Sequence, residues 1–212
     1  MSGSPPSCPD PSAIKVLGIE GGALPGRFKI RGARTALLGV LMRRFRVEGL
    51  AWRLVEVDGL DASEKAIEIA RELGGDVIML GGVSYAGFNI VDPLRLFSEL
   101  GRPVLVVVEE APDNEAVRRA LLKHFPDWEV RWRVFEALAS RTQVVKVSLP
   151  GGLHTYLEAV GIPVDEAERI VRGLTRRSKT PEPLRTARLL VKGVSRSLLA
   201  ALSGPRRGGR VD

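Results

Sequence analysis

Residues 77–108, VIMLGGVSYAGFNIVDPLRLFSELGRPVLVVV, decide the fold of this chain. Val77–Leu80 is a short apolar run that predicts a buried strand, and a loop rich in glycine follows it. Asp92 and Pro93 favour a helix start, because Asp is a common N-cap and Pro is favoured at the first helical position. The run 103–108 is apolar throughout, as in a parallel strand that is covered on both faces. The strand-helix-strand order predicts an α/β protein.

The flanking segments extend this pattern in both directions. Two strands separated by Glu48-Gly49 predict a hairpin. The other predicted elements are strands over 13–19 and 143–149 and helices over 61–73, 113–125, 164–174 and 183–202, with the hairpin strands over 33–46 and 50–57. This order predicts a mixed sheet with helices on both faces, in a single domain over residues 13–202. Residues 1–12 are predicted to be a flexible leader and 203–212 a flexible basic tail.

The composition is that of a soluble globular protein, with 44% hydrophobic and 27% charged residues among 212. The longest charge-free stretch, 77–91, contains glycines and is shorter than the ~20 apolar residues of a membrane span. One cysteine, Cys8, excludes an internal disulfide framework and a cysteine-based zinc site. The N-terminus lacks the features of a signal peptide. We therefore expect a cytoplasmic protein, and the scarcity of Asn, Gln and Cys is typical of thermophiles.

Positive charge is concentrated in two parts of the sequence. Residues 172–212 contain eleven basic and two acidic residues, and residues 21–47 contain seven basic and no acidic residues. The final helix adds a pattern, because its basic residues recur at intervals of three and four beside an apolar stripe. Such charge is expected on the surface that binds a nucleic acid. An ordinary solvated surface explains it equally well. The candidate phosphate contacts are Arg27, Lys29, Arg31, Arg43, Arg44, Arg185, Arg188 and Lys192.

Four carboxylates lie where a ligand is expected in an α/β sheet, beyond the carboxyl ends of the strands. Glu20 follows the first strand and Asp58 follows the third, and Asp61 and Asp92 lie nearby in the sequence. If three or four of them converge, they suit Mg²⁺ or Mn²⁺, which prefer oxygen ligands. Helix capping is an alternative role for Asp61 and Asp92, and a turn is the alternative for Asp58. Glu20 has no comparable structural role.

The glycine-rich loop 81–92 contains two further candidates for nucleic-acid contact. Tyr85 offers a ring on which a base can stack, and Asn89 offers an amide. The alternative is a tight turn in which the neighbouring Phe88 is buried. The preceding fragment GIEGG lacks the features of a phosphate-binding loop.

Five segments together resemble an uncharacterised, largely archaeal protein family that is related to endonuclease V. They are VLGIE at 16–20, VDGLDAS at 57–63, GGVSYAGFNIVD at 81–92, HFPDWEVRW at 124–132 and PEPLRTA at 181–187. The resemblance runs in order from about residue 14 to residue 200. It implies a ribonuclease H-like fold and kinship to metal-dependent nucleases that cut a phosphodiester near a deaminated base.

Two departures from the family pattern concern the acidic residues. The family commonly has Asp-Asp after the first strand, where this sequence has Glu20-Gly21. Endonuclease V has an Asp at the end of the strand that matches Val77–Leu80, where this sequence has Leu80-Gly81-Gly82. One expected metal ligand is thus replaced by a similar residue, and another is absent.

These observations lead to a hypothesis of a nucleic-acid-acting protein with a divalent-metal-dependent endonuclease activity. Glu20 and Asp58 are its predicted catalytic metal ligands, with Asp61 and Asp92 as further candidates and Mg²⁺ or Mn²⁺ as the cofactor. The alternative is a non-catalytic nucleic-acid-binding protein with an eroded metal site. A third interpretation is an enzyme that acts on a small phosphorylated metabolite bound by the glycine-rich loop.

Overall fold

A computed structural model describes residues 13–22 and 33–202, with the side chains of 198–202 excepted. The strands are β1 (Lys15–Gly21), β2 (Arg34–Arg43), β3 (Arg46–Glu56), β4 (Val77–Leu80), β5 (Ser84–Tyr85), β6 (Asn89–Ile90), β7 (Val104–Val108), β8 (Val145–Ser148) and β9 (His154–Val160). The helices are α1 (Ala62–Leu73), α2 (Pro93–Leu100), α3 (Asn114–His124), α4 (Trp128–Arg141), α5 (Val164–Gly173) and α6 (Glu182–Leu202). The predicted leader and tail lie outside the described residues.

Seven strands form one mixed sheet in the order β3-β2-β1-β4-β7-β9-β8. The strands β1, β4 and β7 are parallel to one another, whereas the remaining neighbours pair antiparallel. The small strands β5 and β6 form a separate hairpin within the glycine-rich loop. The three parallel strands therefore end at the same edge, which is where the acidic residues of interest follow them.

Helices cover both faces of the sheet, as the sequence predicts. On one face, α1, α2 and α4 contribute side chains such as Ile67, Leu96 and Leu138 to the larger core cluster. On the other face, α5 packs beside the start of α6 on the central strands, and the rest of α6 packs on β2. The central strands are apolar on both faces because each face is covered by helices. No helix in the described part of the chain has the length and apolarity of a membrane span.

The hairpin turn lies at Arg44 and Phe45, so the predicted turn at Glu48-Gly49 is wrong. Arg44 adopts a positive φ of 54° there. Pairing of β2 with β3 begins at Arg43 and Arg46 and shifts register between Leu41 and Met42. Glu48 is the extra residue of this β-bulge, which explains why a turn-like dipeptide occurs inside a strand.

Helix α4 and strand β9 have no counterpart in the sequence prediction. α4 places a buried arginine, Arg131, on the same side as Phe135 and Leu138, which obscures the apolar stripe. β9 is the inner neighbour of the edge strand β8, and its burial alternates incompletely. Both elements therefore depend on tertiary contacts more than on a clear local pattern.

Candidate active site

Two glutamates occupy the carboxyl edge of the parallel strands, on either side of β4. Glu20 is the penultimate residue of β1, and its side chain is 10% exposed. Glu109 directly follows β7 and is partly buried. Because β1 and β7 flank β4 and run parallel to it, their ends bring these two side chains toward the same point.

Arg188 of α6 joins the two glutamates. Its Nη2 donates to Glu20 Oε1 at 3.0 Å, and its Nη1 donates to Glu109 Oε1 at 2.7 Å. Thr180 Oγ1, in the loop before α6, also donates to Glu109 Oε1, at 2.6 Å. Helix α6 lies close to β1 because Pro183 packs on Gly18, which has no side chain. A Cβ on residue 18 would lie 2.6 Å from the Pro183 carbonyl oxygen. We call Glu20, Glu109, Thr180 and Arg188 the carboxylate cluster.

Gly81, at the end of β4, explains the carboxylate that is absent from this strand. A Cβ on residue 81 would overlap the Glu20 carboxylate and would lie 2.7 Å from its carboxyl carbon. The longer side chain of Glu20 therefore occupies the space that a side chain on residue 81 would need. A carboxylate at the end of β4 and the Glu20 side chain in its present position therefore exclude each other.

This mutual exclusion predicts that Gly81→Ala destabilises the protein by about 1–3 kcal/mol, the usual cost of an added methyl group in a packed site. The cost should be smaller in a Glu20→Asp background, because Asp is one methylene shorter. Denaturant unfolding of the two single variants and the double variant measures this coupling. Gly193→Ala is the control, since a Cβ at residue 193 meets no atom within 4 Å. Strictly additive effects would contradict the mutual exclusion.

Burial and pairing act in opposite directions on the two glutamates. The pKa of Glu20 is raised, chiefly by burial and further by the nearby Glu109 carboxylate, although the Arg188 guanidinium acts in the opposite direction. The hydrogen bonds from Thr180 and Arg188 lower the pKa of Glu109. The fold therefore disfavours the charged form of Glu20, and carboxylates with such shifted pKa values are common at functional sites.

The raised pKa predicts that Glu20→Gln increases the free energy of unfolding at neutral pH. Folded Glu20 retains its proton at a higher pH than in the unfolded chain, so stability falls as the pH rises from the ordinary Glu range through the raised pKa. The neutral amide removes that loss, and the gain should disappear in acid. Thermal unfolding across pH measures the effect, and Glu109→Gln, whose pKa is lowered, should be destabilising instead. A lower melting temperature for Glu20→Gln at pH 7 would contradict the prediction.

Asp58 lies at a different part of the same edge, in the loop after β3. Its Oδ1 accepts a hydrogen bond from the Phe88 N–H at 2.9 Å, and its backbone N–H donates to the Ala86 carbonyl at 2.8 Å. The carboxylate also lies where a Cβ on Gly87 would be. These contacts join the loop after β3 to the glycine-rich loop, with Asp58 itself at a positive φ of 58°.

Asp61 and Asn89 form one buried hydrogen-bond network. Asn89 is fully buried; its Nδ2 donates to Asp61 Oδ1 at 2.6 Å and to the Glu56 carbonyl at 2.8 Å. Its Oδ1 accepts from the Ala62 N–H at 2.8 Å, so Asn89, and not the predicted Asp61, caps α1. The prediction that Asn89 contacts nucleic acid is at odds with this burial, because its amide is occupied within the protein.

Asp92 and Tyr85 also make internal contacts. Asp92 Oδ1 accepts from the N–H groups of Leu94 and Arg95 at 2.9 and 3.2 Å, as an N-cap of α2 does. Tyr85 is 5% exposed and donates its hydroxyl to the Ile19 carbonyl at 3.3 Å. A stacking role for Tyr85 conflicts with this burial. The phenol instead packs beside β1 next to the carboxylate cluster, where burial raises its pKa well above the ordinary value.

The predicted phosphate contacts fall into separate groups. Arg27, Lys29 and Arg31 lie outside the described residues. Arg188 belongs to the carboxylate cluster, whereas Arg43 pairs with Glu48 at 2.8 Å and Arg185 pairs with Glu182 at 2.9 Å. Arg44 and Lys192 are exposed. The basic stripe of α6 thus includes one residue that acts inside the site and others that face outward.

The family was established by comparison with known proteins. The model of the endonuclease dU family matches residues 12–195. The chain belongs to the endonuclease dU family. A UPF0215 protein of Thermococcus gammatolerans is 42% identical over 185 residues, which cover 85% of this chain and 92% of the relative. The predicted resemblance to an archaeal family related to endonuclease V is therefore confirmed.

Solved structures confirm the predicted fold for this member of the endonuclease dU family. A protein of unknown function from Archaeoglobus fulgidus is similar with a TM-score of 0.73 and 27% identity, covering 85% of this chain and 97% of that one. Endonuclease V of Ciona intestinalis, in complex with a DNA containing an inosine followed by a ribo-adenosine, is similar with a TM-score of 0.55. It is 12% identical and covers 89% of this chain and 87% of that one. The endonuclease V structure supports the fold alone.

The acidic residues of this endonuclease dU family member converge less than the sequence predicts. In the ranges 13–22 and 33–197, no three His, Cys, Asp or Glu side chains are grouped so as to bind a metal ion. The condition that three or four carboxylates converge is therefore not met within these ranges. Glu20 and Glu109 do converge, and two carboxylates suit a Mg²⁺ ion that keeps several of its waters. The donor set of the carboxylate cluster thus fits one hard divalent ion.

Glu109 is the functional candidate that the sequence prediction missed. The rule that selects Glu20, a carboxylate at the end of an apolar strand, applies equally to Glu109 after PVLVVV. Its partner Arg188 lies 79 residues further along the chain. The pairing of these residues depends on where α6 packs, which no local pattern specifies.

Proposed function

We propose that this protein is a divalent-metal-dependent nuclease that hydrolyses a phosphodiester bond in nucleic acid containing a deaminated base. The observation that carries this proposal is the convergence of Glu20 and Glu109 on Arg188 at the carboxyl edge of the parallel strands. It combines paired carboxylates and a phosphate-binding guanidinium in one place. The endonuclease V-like fold and the endonuclease dU family support it.

Glu20 and Glu109 would bind one Mg²⁺ or Mn²⁺ ion. A bound ion of this kind lowers the pKa of a water molecule and neutralises charge on a phosphodiester. Asp58 remains a further candidate ligand under this proposal, although its described contacts are with the glycine-rich loop. Asp61 and Asp92 are weaker candidates, because each has an oxygen that already accepts two hydrogen bonds from the protein.

Arg188 and Thr180 prepare the carboxylates for this role. The guanidinium stabilises two acidic groups close together, which would otherwise repel each other. It has several N–H donors in a planar arrangement, which also suits phosphate oxygens. Thr180 also orients Glu109 by donating to the same oxygen. Arg188 is thus placed to contact the scissile phosphate while the carboxylates bind the ion.

The family name and one structural neighbour support the choice of a substrate class. The family is named endonuclease dU, and the Ciona intestinalis endonuclease V complex contains inosine in DNA. Deoxyuridine and inosine are both products of base deamination. We therefore propose DNA containing deoxyuridine as the first substrate.

One observation favours a non-catalytic nucleic-acid-binding protein as the second candidate. Arg188 already supplies a positive charge to both carboxylates, so the cluster is paired without a metal ion. This candidate predicts salt-dependent nucleic-acid affinity that does not change when metal is removed.

A cleavage assay at elevated temperature separates the two candidates. Single- and double-stranded DNA and RNA, with and without deoxyuridine or inosine, are incubated with Mg²⁺, with Mn²⁺ or with EDTA. Metal-dependent cleavage by the wild type, and none by Glu20→Ala, is the expected result. Retention of the substrates in a gel shift without cleavage by either protein would support the binding protein, and undiminished cleavage by Glu20→Ala would overturn the proposed site.

A further inference from the structure

A concave basic surface lies beside the start of α6, outside the carboxylate cluster. It encloses about 420 Å³ and is lined by Arg176, Arg177, Ser178, Glu182 and Arg185. Glu182 is the only acid of this lining, and it pairs with Arg185 at 2.9 Å. Arg176 and Arg177 are exposed, and neither has a carboxylate partner within the described residues. We call this feature the arginine cavity.

The loop that carries Arg176 and Arg177 is fixed by internal hydrogen bonds. Thr175 is buried and donates its hydroxyl to the Val171 carbonyl at 2.6 Å. Ser178 donates its hydroxyl to the Thr180 carbonyl at 2.7 Å. The two arginines therefore project from a constrained backbone, which lowers the entropy cost of binding an anion.

Phe45 of the β2–β3 turn extends the basic surface beyond the cavity. The guanidinium carbon of Arg176 lies 4.9 Å from the centre of the Phe45 ring, and that of Arg44 lies 5.6 Å from it. Phe45 is 37% exposed between these two cations. Stacking on the ring orients Arg176 and brings the predicted phosphate contact Arg44 to the same surface.

The arginine cavity is close to the proposed active site along α6. Arg185 precedes Arg188 by three residues, about 4.5 Å along a helix axis. Consecutive phosphates of a duplex strand rise about 3.4 Å per nucleotide. A strand whose phosphate meets Arg188 therefore has neighbouring phosphates within reach of the cavity.

We propose that the arginine cavity binds a backbone phosphate of the nucleic-acid substrate, next to the phosphate that is cleaved. This inference rests on the proposed function, because it takes the same strand as its ligand. The excess positive charge, the concave shape and the rigid loop all favour a phosphodiester. Contacts of this kind position a strand without reading its sequence.

The test is the salt dependence of DNA affinity without metal, so that no cleavage occurs. A short fluorescein-labelled duplex with one deoxyuridine is titrated by fluorescence anisotropy in EDTA over a range of NaCl concentrations. Arg176→Gln/Arg177→Gln should weaken binding roughly tenfold or more and reduce the slope of log affinity against log salt by about 1. Arg176→Lys/Arg177→Lys should retain most of the slope, because the charges remain.

The control is Arg119→Gln/Arg133→Gln, which removes two exposed arginines from α3 and α4. Equal slopes for the cavity variant and this control would overturn the cavity while leaving the proposed function intact. A reduced slope for the cavity variant alone supports the cavity even if the cleavage assay fails. A wild-type protein with no measurable DNA affinity in EDTA would overturn the cavity, and the cleavage assay with metal tests the proposed function separately.

Discussion

Glu109→Gln should lower metal-dependent cleavage by about a hundredfold or more, as much as Glu20→Gln, because each removes one of two charges that stabilise the reaction. Glu109 lies opposite Glu20 across β4 and accepts hydrogen bonds from Thr180 and Arg188. The amide keeps the size of the side chain but loses the negative charge that a divalent ion requires. Initial cleavage rates at saturating metal, together with a metal titration, measure the effect.

Glu110→Gln provides the matched control for this prediction. Glu110 is the next residue, is exposed and pairs with Lys179 at 2.9 Å on the surface. Its substitution removes the same charge from the neighbouring position and should leave the cleavage rate within about twofold, as expected for a surface pair. If Glu110→Gln loses as much activity as Glu109→Gln, general electrostatics and not the carboxylate cluster would explain the loss. Full activity in Glu109→Gln would exclude it from the site.

The sequence predicts the central fold well because burial of the parallel strands leaves a local signal. The runs over 77–80 and 103–108 are apolar on both faces, and the helix between them begins at a recognisable cap. The hairpin turn was predicted wrongly because Glu48-Gly49 looks like a turn but forms a β-bulge. The register of strand pairing decides whether such a dipeptide forms a turn or a bulge, and the local sequence does not indicate that register.

The site was predictable only where a residue had no local structural role. Glu20 follows an apolar strand without capping a helix, and the structure places it in the carboxylate cluster. Asp61 was expected to cap α1, but Asn89 supplies the cap from a loop 27 residues away. Arg188 was expected on an exposed stripe, whereas it pairs with two buried or partly buried acids. Such long-range contacts follow from the packing of α6 and the glycine-rich loop.

The segments that carry the family resemblance are the ones that the fold brings into contact. VLGIE contacts the PEPLRTA segment through Gly18 and Pro183. Arg188, which directly follows this segment, donates a hydrogen bond to Glu20. VDGLDAS, GGVSYAGFNIVD and HFPDWEVRW meet at Arg131. The resemblance thus marks two junctions, one that forms the carboxylate cluster and one that fixes the loops beside it.

Arg131→Met should reduce the free energy of unfolding by about 3–5 kcal/mol, the usual cost of removing one partner of a buried charged network. The Arg131 side chain is 5% exposed and pairs with Asp127 at 2.9 Å. It donates to the carbonyls of Asp58 and Gly59 at 2.8 and 3.0 Å, and to the Phe88 carbonyl. Methionine has a similar length but no donors, so these acceptors lose their partner where water has little access.

The same substitution separates loop support from a role in the reaction. Arg133→Met on the exposed side of α4 is the control, and it should change stability by less than about 0.5 kcal/mol. Because Arg131 fixes the loop that carries Asp58, Arg131→Met should also lower cleavage, but addition of a stabilising osmolyte should restore part of the rate. Denaturant unfolding and cleavage are measured on the same samples. Equal stability of the two variants would show that the Arg131 network does not hold the loops together, and the link from fold to site that we draw through it would fail.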